Sequence, residues 1–305
     1  MSRYFSPPSE YRPGLRLSLR KRRDGGELAA TVEPMPARVA HRELVLLVHG
    51  FNNHEGEAGT AYHGFRARQP IRDARALERV LGDLFWPGDA SWRGIADNAD
   101  FAVYPAAVGT AHAAGNRLAA YLRSLSGLLK VHFIAHSLGC RVVLETIRAL
   151  ASDGPRVGRV GLMAAAVPVF KVQAGGALVG ALERAERVHI LYSHSDIVLK
   201  TAFRAGQTAA GGDEGFFPRA LGARHPPPLP GFVASTHVLD AHHGDYWGHS
   251  ARPPAGVAPL LAGEFIGLSA DRLLGTPRSA GIPAAPLPSR TAGRGRDVGG
   301  RGRKP

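Results

Sequence analysis

The chain has 305 residues, 44% of them hydrophobic, a formal charge of +13 and a single cysteine, Cys140. That is enough apolar material for one sizeable domain, and a lone thiol excludes an internal disulfide and gives secretion no support. No apolar stretch reaches the roughly 18 residues of a membrane span, and the N-terminus MSRYFSPPSEYRPG lacks the apolar core of a signal peptide, so the expected location is the cytoplasm.

The charge is unevenly spread. Residues 276–305 hold seven basic residues and one acid, a net +6 out of +13. The body therefore gives little reason to expect a nucleic-acid partner, and any weak contact with acidic partners falls to the tail.

In chain order, Leu15–Arg22 alternates Leu with Arg or Ser, the period of a half-exposed strand. Asp24-Gly25-Gly26 and the run to Glu33 complete a hairpin over about 15–34. Leu44–Val48 is a fully buried strand leading into His49-Gly50-Phe51-Asn52-Asn53, and a loop of about 16 residues is expected after it. Apolar spacing predicts a helix over Ile71–Phe85, a short strand over Phe101–Tyr104 ended by Pro105, and a helix over Ala111–Leu125. Val131–Ala135 reads as a buried strand, with a helix from Gly139 almost at once. Val160–Val167 is the next strand, Ala177–Arg187 a helix and Val188–Tyr192 a strand. Residues 203–232 form an irregular Gly- and Pro-rich connection, Val233–Leu239 a last strand, and Leu260–Leu274 a closing helix. From Thr276 onward there is almost nothing to bury, which predicts a disordered basic tail after a single domain over 1–275.

Strands alternating with helices imply an α/β fold: eight strands, mostly parallel, with helices on both faces and the initial hairpin as an antiparallel edge. The chemistry centres on AHSLG, Ala135–Gly139, between the fifth strand and its helix. A strand that becomes a helix within two residues needs a tight turn flanked by small residues, which pushes the side chain of Ser137 out over the sheet edge. The alternative is that Ser137 merely caps a helix. A serine hydroxyl needs a base within hydrogen-bond reach and an acid to hold that base. Asp196 follows the strand Val188–Tyr192, and His243 follows the last strand, so both fall at carboxyl ends of strands. Asp240 and Asp245 remain alternative acids and His242 an alternative base; Gly244 favours His243 by letting the loop turn. Leu138 N–H and Phe51 N–H are the candidate oxyanion donors. His49 reads as a structural residue, Tyr246 and Trp247 as packing. The spacing of His237, His242, His243, Asp245 and His249 matches no defensible zinc pattern, so no metal and no cofactor are expected.

The combination LLVHGFNN, AHSLG, SHSD and HHGDYW resembles an α/β-hydrolase over roughly residues 40–250, and the HGFNN–AHSLG pairing is similar to the uncharacterised serine hydrolases called DUF900. The resemblance implies Ser137, Asp196 and His243 as nucleophile, acid and base, with Ala135 in place of the first elbow glycine. It implies a serine hydrolase acting on a small-molecule acyl substrate, and leaves acyl chain, leaving group and oligomeric state open. The competing class is a catalytically silent hydrolase fold used as a scaffold, its basic tail engaging acidic partners.

Overall fold

Short apolar runs, too short for helices, build the centre of this protein, and the computed structural model describes residues 15–20, 31–33, 43–51, 53, 55–67, 81–88, 100–125, 127–150, 152–229 and 232–248. The strands are β1 Leu15–Ser18, β2 Thr31–Glu33, β3 Glu43–Val48, β4 Leu81–Phe85, β5 Lys130–His136, β6 Arg156–Met163, β7 Ala185–Tyr192 and β8 Val233–His237. They form one sheet in the order β2-β1-β4-β3-β5-β6-β7-β8. The β1–β2 hairpin is antiparallel and the other six pairings are parallel. The helices are α1 Glu55–Ala67, α2 Asp100–Ser124, α3 Gly139–Ala149, α4 Val179–Glu183, α5 Ile197–Lys200 and α6 Ala202–Ala210.

Strand order fixes where the helices lie. From β3 the chain steps to β4 on one side, whereas from β5 it steps through β6 and β7 to β8 on the other. Right-handed crossovers in opposite directions put their helices on opposite faces. The reversal falls between β3 and β5, and the crevice outside the carboxyl ends of such strands is where α/β sheets bind ligands.

Several local expectations are corrected. Residues 81–85 are a strand rather than the end of a helix, and β4 takes the place in the sheet expected for 101–104. Asp83 misleads the periodicity: it is fully buried on β4 because Arg66 Nη2 of α1 donates to its Oδ1 at 2.6 Å. Residues 101–104 instead belong to α2, which runs through Pro105. Tyr104 is held there by Gln207 Nε2, which donates to its hydroxyl at 3.2 Å, and stands edge-on to Phe51. The loop expected after HGFNN contains α1. Its glycines lower helix propensity, but Ala58, Ala61, Tyr62 and Phe65 repeat at helical spacing and are buried. The connection after 203 begins with α6 and a 3-10 turn at Gly212–Glu214, then runs irregularly to 229. The helix expected over Leu260–Leu274 and the tail from Thr276 lie outside the described residues.

Behind α3, Arg141 donates to Glu145 at 2.7 Å and to both oxygens of Glu214 at 3.2 Å, and Lys171 Nζ lies 3.1 Å from Glu214. All four side chains are buried, so each charge depends on its partners for solvation, and removing one strands the rest. The network clamps the turn around Lys171 and the 212–214 turn onto the helix that carries the elbow.

One irregularity in the sheet has a consequence for pH. The β5–β6 register shifts between Val131 and Phe133, and His132 Nδ1 accepts the Arg159 N–H at 2.9 Å. The ring lies over Gly158, where a Cβ would come 2.3 Å from its Cε1. Burial, reinforced by Lys130, lowers the His132 pKa to about 4. Unfolding restores the ordinary value near 6.5, so the unfolded chain binds the extra proton between those limits and stability falls with acid there. Stability is expected to drop by at most roughly 3 kcal/mol between about pH 6.5 and 4 from this group, and by less to the extent that the Glu43 carboxylate, 3.5 Å from His132 Nε2, favours the protonated ring. Urea midpoints across that range should show the slope, and His132→Gln should remove most of it. An equal slope in the variant would assign the acid sensitivity elsewhere.

Candidate active site

β5 ends at His136 and α3 begins at Gly139, leaving Ser137 and Leu138 to make the turn. Ser137 has φ +52°, a left-handed conformation that costs a non-glycine residue about 1–3 kcal/mol and persists only where its surroundings enforce it. Here the Ser137 N–H donates to Met163 O at 2.9 Å, and its carbonyl accepts from Cys140 N–H at 3.0 Å and Ala166 N–H at 3.2 Å. Ala135 is buried and pairs with Val48 and Leu162, so the sheet accommodates a methyl where the elbow pattern has its first glycine.

Gly139 has no such latitude. A Cβ there would lie 2.2 Å from His49 O and 2.8 Å from Val48 O, both backbone atoms that cannot rotate away. Gly139→Ala is expected to lower stability by on the order of 3 kcal/mol. The control is Gly180→Ala in α4, where a Cβ meets nothing within 4 Å. Equal urea midpoints for the two variants would mean that the turn has room to spare.

The loops after β7 and β8 bring two partners to Ser137. His243 Nε2 lies 2.8 Å from Ser137 Oγ, and His243 Nδ1 lies 2.8 Å from Asp196 Oδ2. Asp196 is fully buried and caps α5, its Oδ1 accepting Leu199 N–H at 3.0 Å. Both carboxylate oxygens thus have donors, which a buried charge requires. A carboxylate at Nδ1 holds the proton there and leaves Nε2 to accept the serine O–H. The alternative residues are elsewhere: Asp240 and His242 are exposed, and Asp245 Oδ2 accepts His242 N–H at 3.0 Å. Gly50, at the end of β3, passes against the elbow, where a Cβ would be 2.9 Å from Ser137 Cβ. That brings the Gly50–Phe51 peptide alongside Ser137, while Leu138 is buried directly after it.

The family described as "Alpha/beta hydrolase of unknown function (DUF900)" matches residues 29–210, more than half of the chain. The chain belongs to this family. The match contains the elbow and Asp196, and His243 of this DUF900 hydrolase lies beyond it. No curated protein matches the sequence. Similar solved structures include the esterase domain of a Rhodothermus marinus protein, at 15% identity over 82% of this chain and 97% of that one, with a TM-score of 0.38. Carboxyl esterase 2 from Tuber melanosporum matches at 12% identity over 73% and 76%, with a TM-score of 0.39. Est1E from Butyrivibrio proteoclasticus, solved with ferulic acid bound, matches at 11% identity over 76% and 91%, with a TM-score of 0.38.

Around the Ser137–His243–Asp196 chain, the hydrolase places residues whose sequence signal is slight. His136 Nε2 is 2.6 Å from the His243 carbonyl oxygen. A carbonyl only accepts, so this nitrogen carries the hydrogen and ties the His243 loop to the end of β5. The His136 ring also lies 5.0 Å from that of His243 and 5.9 Å from Tyr246. A polar ring at the last position of β5, directly after the apolar run Phe133–Ala135, is the one clue the sequence offers. Asp245 closes the same loop from the other side, since its N–H donates to His242 O at 3.1 Å. Tyr246 is buried, and that burial, followed by the negative charges of Asp196 and Asp245, raises its pKa and keeps the phenol protonated.

His49 holds structure together. Its Nε2 accepts Trp86 N–H at 3.2 Å, so Nδ1 carries the proton and donates to Gly50 O at 2.8 Å. Its own N–H donates to Tyr62 O–H at 2.8 Å, and Trp86 Nε1 donates to its carbonyl. Trp247 packs edge-on against Tyr62, as expected of a packing residue. Among the described residues, no group of three or more His, Cys, Asp or Glu side chains is arranged to hold a metal ion, and no helix is long and apolar enough to cross a membrane.

Proposed function

We propose that this chain is a serine hydrolase that cleaves an ester or related acyl bond through an acyl-enzyme, with Ser137 as nucleophile, His243 as base and Asp196 as the acid behind it. The observation that carries the reading is the continuous hydrogen-bond chain from Ser137 Oγ through the His243 ring to buried Asp196. Ser137 Oγ attacks the acyl carbon as its proton passes to His243 Nε2. The negative charge that collects on the acyl oxygen is met by the N–H groups of Leu138 and Phe51. His243 then gives its proton to the departing alcohol, and the acyl group stays on Oγ. Water enters, loses a proton to His243 and attacks the same carbon, and the proton returns to Oγ as the acid leaves. Asp196 keeps the ring oriented and stabilises its cationic form throughout. This chemistry calls for no cofactor.

Turnover of short p-nitrophenyl esters, abolished in Ser137→Ala, tests the reading. Absence of turnover across acyl lengths, with no labelling by an acylating or phosphonylating probe, would favour a silent scaffold instead.

His136 is a positioning residue on this reading, because it holds the His243 backbone and not the substrate. His136→Phe keeps a buried ring but loses the 2.6 Å hydrogen bond. A fall of about tenfold or more in kcat is expected, since a base displaced by an ångström acts poorly, with KM changed less. The pH profile of kcat/KM should shift as well, a readout that loss of packing alone would leave in place.

A further inference from the structure

The carboxyl ends of β7 and β8 gather a second set of ionisable side chains. Tyr192, the last residue of β7, has three imidazoles about it: His237 stacked at 5.2 Å, His194 at 5.8 Å and His225 edge-on at 5.7 Å. The His194 and His237 rings are 4.6 Å apart, and His225 Nδ1 is 3.3 Å from the Tyr192 hydroxyl. Lys200 Nζ donates to the His194 carbonyl, and Arg224 adjoins His225. His194, Arg224, His225 and His237 are exposed. Among the described residues, no carboxylate hydrogen-bonds or ion-pairs with any of these five basic side chains.

Basic groups collected without a counter-charge repel one another, and an anion placed among them relieves the repulsion. His194 records it: its pKa is lowered, first by desolvation and then by the positive neighbours His237, Lys200, Arg224 and His225. The cluster is also tied to the catalytic loops. His194 precedes Asp196 by two residues, and His237 precedes His243 by six. β7 and β8 are the second and third strands beyond β5; at about 4.8 Å per strand, their ends lie about 10–15 Å from Ser137.

We propose that His194, His237, His225, Lys200 and Arg224 form a subsite for an anionic group, a carboxylate or a phosphate, carried on the substrate of the Ser137 site. The proposal rests on the serine-hydrolase reading and adds the substrate class: acyl compounds with a negative charge about 10–15 Å from the scissile carbonyl. Lys200 and Arg224 supply constant charge. The imidazoles add charge as pH falls, so affinity for the anion rises toward acid, and by linkage a bound anion raises the imidazole pKa values.

The test compares p-nitrophenyl monoesters of α,ω-dicarboxylic acids of graded length with the matching ω-amides and ω-phosphates. The ω-anion is expected to be preferred by about tenfold in kcat/KM at pH 6, roughly the contribution of one charge-assisted hydrogen bond, and by less at pH 8. The variant His194→Gln/His237→Gln/Arg224→Gln should bring the ratio of anion to amide close to one. The better of carboxylate and phosphate names the natural group. A ratio near one in the parent protein, or a preference that survives the triple substitution, overturns the subsite. Independently of turnover, imidazole resonances followed by NMR should titrate at higher pH with inorganic phosphate or acetate than with chloride at equal ionic strength. If neither ester nor amide is turned over, the Ser137 reading fails and the NMR titration alone decides the anion site: an unshifted titration overturns it, and a shift abolished in the triple variant upholds it.

Discussion

Ser137→Ala is expected to lower kcat/KM on a short p-nitrophenyl ester by ~10⁴–10⁶-fold while leaving the fold intact. The alanine removes the attacking oxygen and the hydrogen bond to His243 Nε2 but changes no backbone contact. The ties from Ser137 N–H to Met163 O and from Cys140 N–H to Ser137 O are main-chain bonds and survive. Some rate above the water reaction should remain, because on the proposed mechanism the N–H groups of Leu138 and Phe51 would still meet the oxyanion. A fluorophosphonate should label the parent protein, and peptide mapping should find the adduct on Ser137. Ser137 as a residue is buried, 6% exposed, so small probes should react faster than bulky ones. Labelling undiminished in Ser137→Ala would remove the nucleophile assignment and the acyl-enzyme with it.

The parts of this protein that were legible in the sequence are those whose signal is local. LVLLV and VHFIA are buried on both faces and contain no charge, so their strands announce themselves. AHSLG is legible because a two-residue turn from strand to helix demands small flanking residues, and the Gly139 contact with His49 O gives the reason at atomic scale. What escaped depends on partners distant in sequence. Asp83 looks like the polar face of a helix until Arg66, seventeen residues earlier, neutralises it inside β4. Tyr104 looks like the end of a strand before Pro105 until Gln207, 103 residues away, bonds its hydroxyl in α2. His136 shows only as a polar ring at the end of β5 until the carbonyl of His243 comes to it across 107 positions. The candidate site follows the same rule: Ser137, Asp196 and His243 could be proposed from residue type and order, whereas the His136 contact that fixes the His243 loop could not.

His243→Ala is expected to remove activity almost as fully as Ser137→Ala, whereas His242→Ala retains a sizeable fraction of the rate. The two residues are neighbours with opposite surroundings. His242 is exposed, and what holds it is its backbone N–H, which donates to Asp245 Oδ2; an alanine keeps that N–H. His243 is half-buried, with one ring nitrogen on Ser137 Oγ and the other on Asp196 Oδ2, so its alanine leaves a buried carboxylate without its imidazole. Loss of that partner should cost stability too, which a thermal midpoint would register separately from rate. The base must be neutral to take the serine proton, so kcat/KM should rise with pH as an imidazole deprotonates. That ascending limb should persist in His242→Ala and vanish in whatever activity His243→Ala retains. The reverse ranking of the two variants would move the base to His242 and leave a serine mechanism standing. Full activity in both would refute the Ser137–His243–Asp196 mechanism, because no serine hydroxyl reacts at such rates without its base.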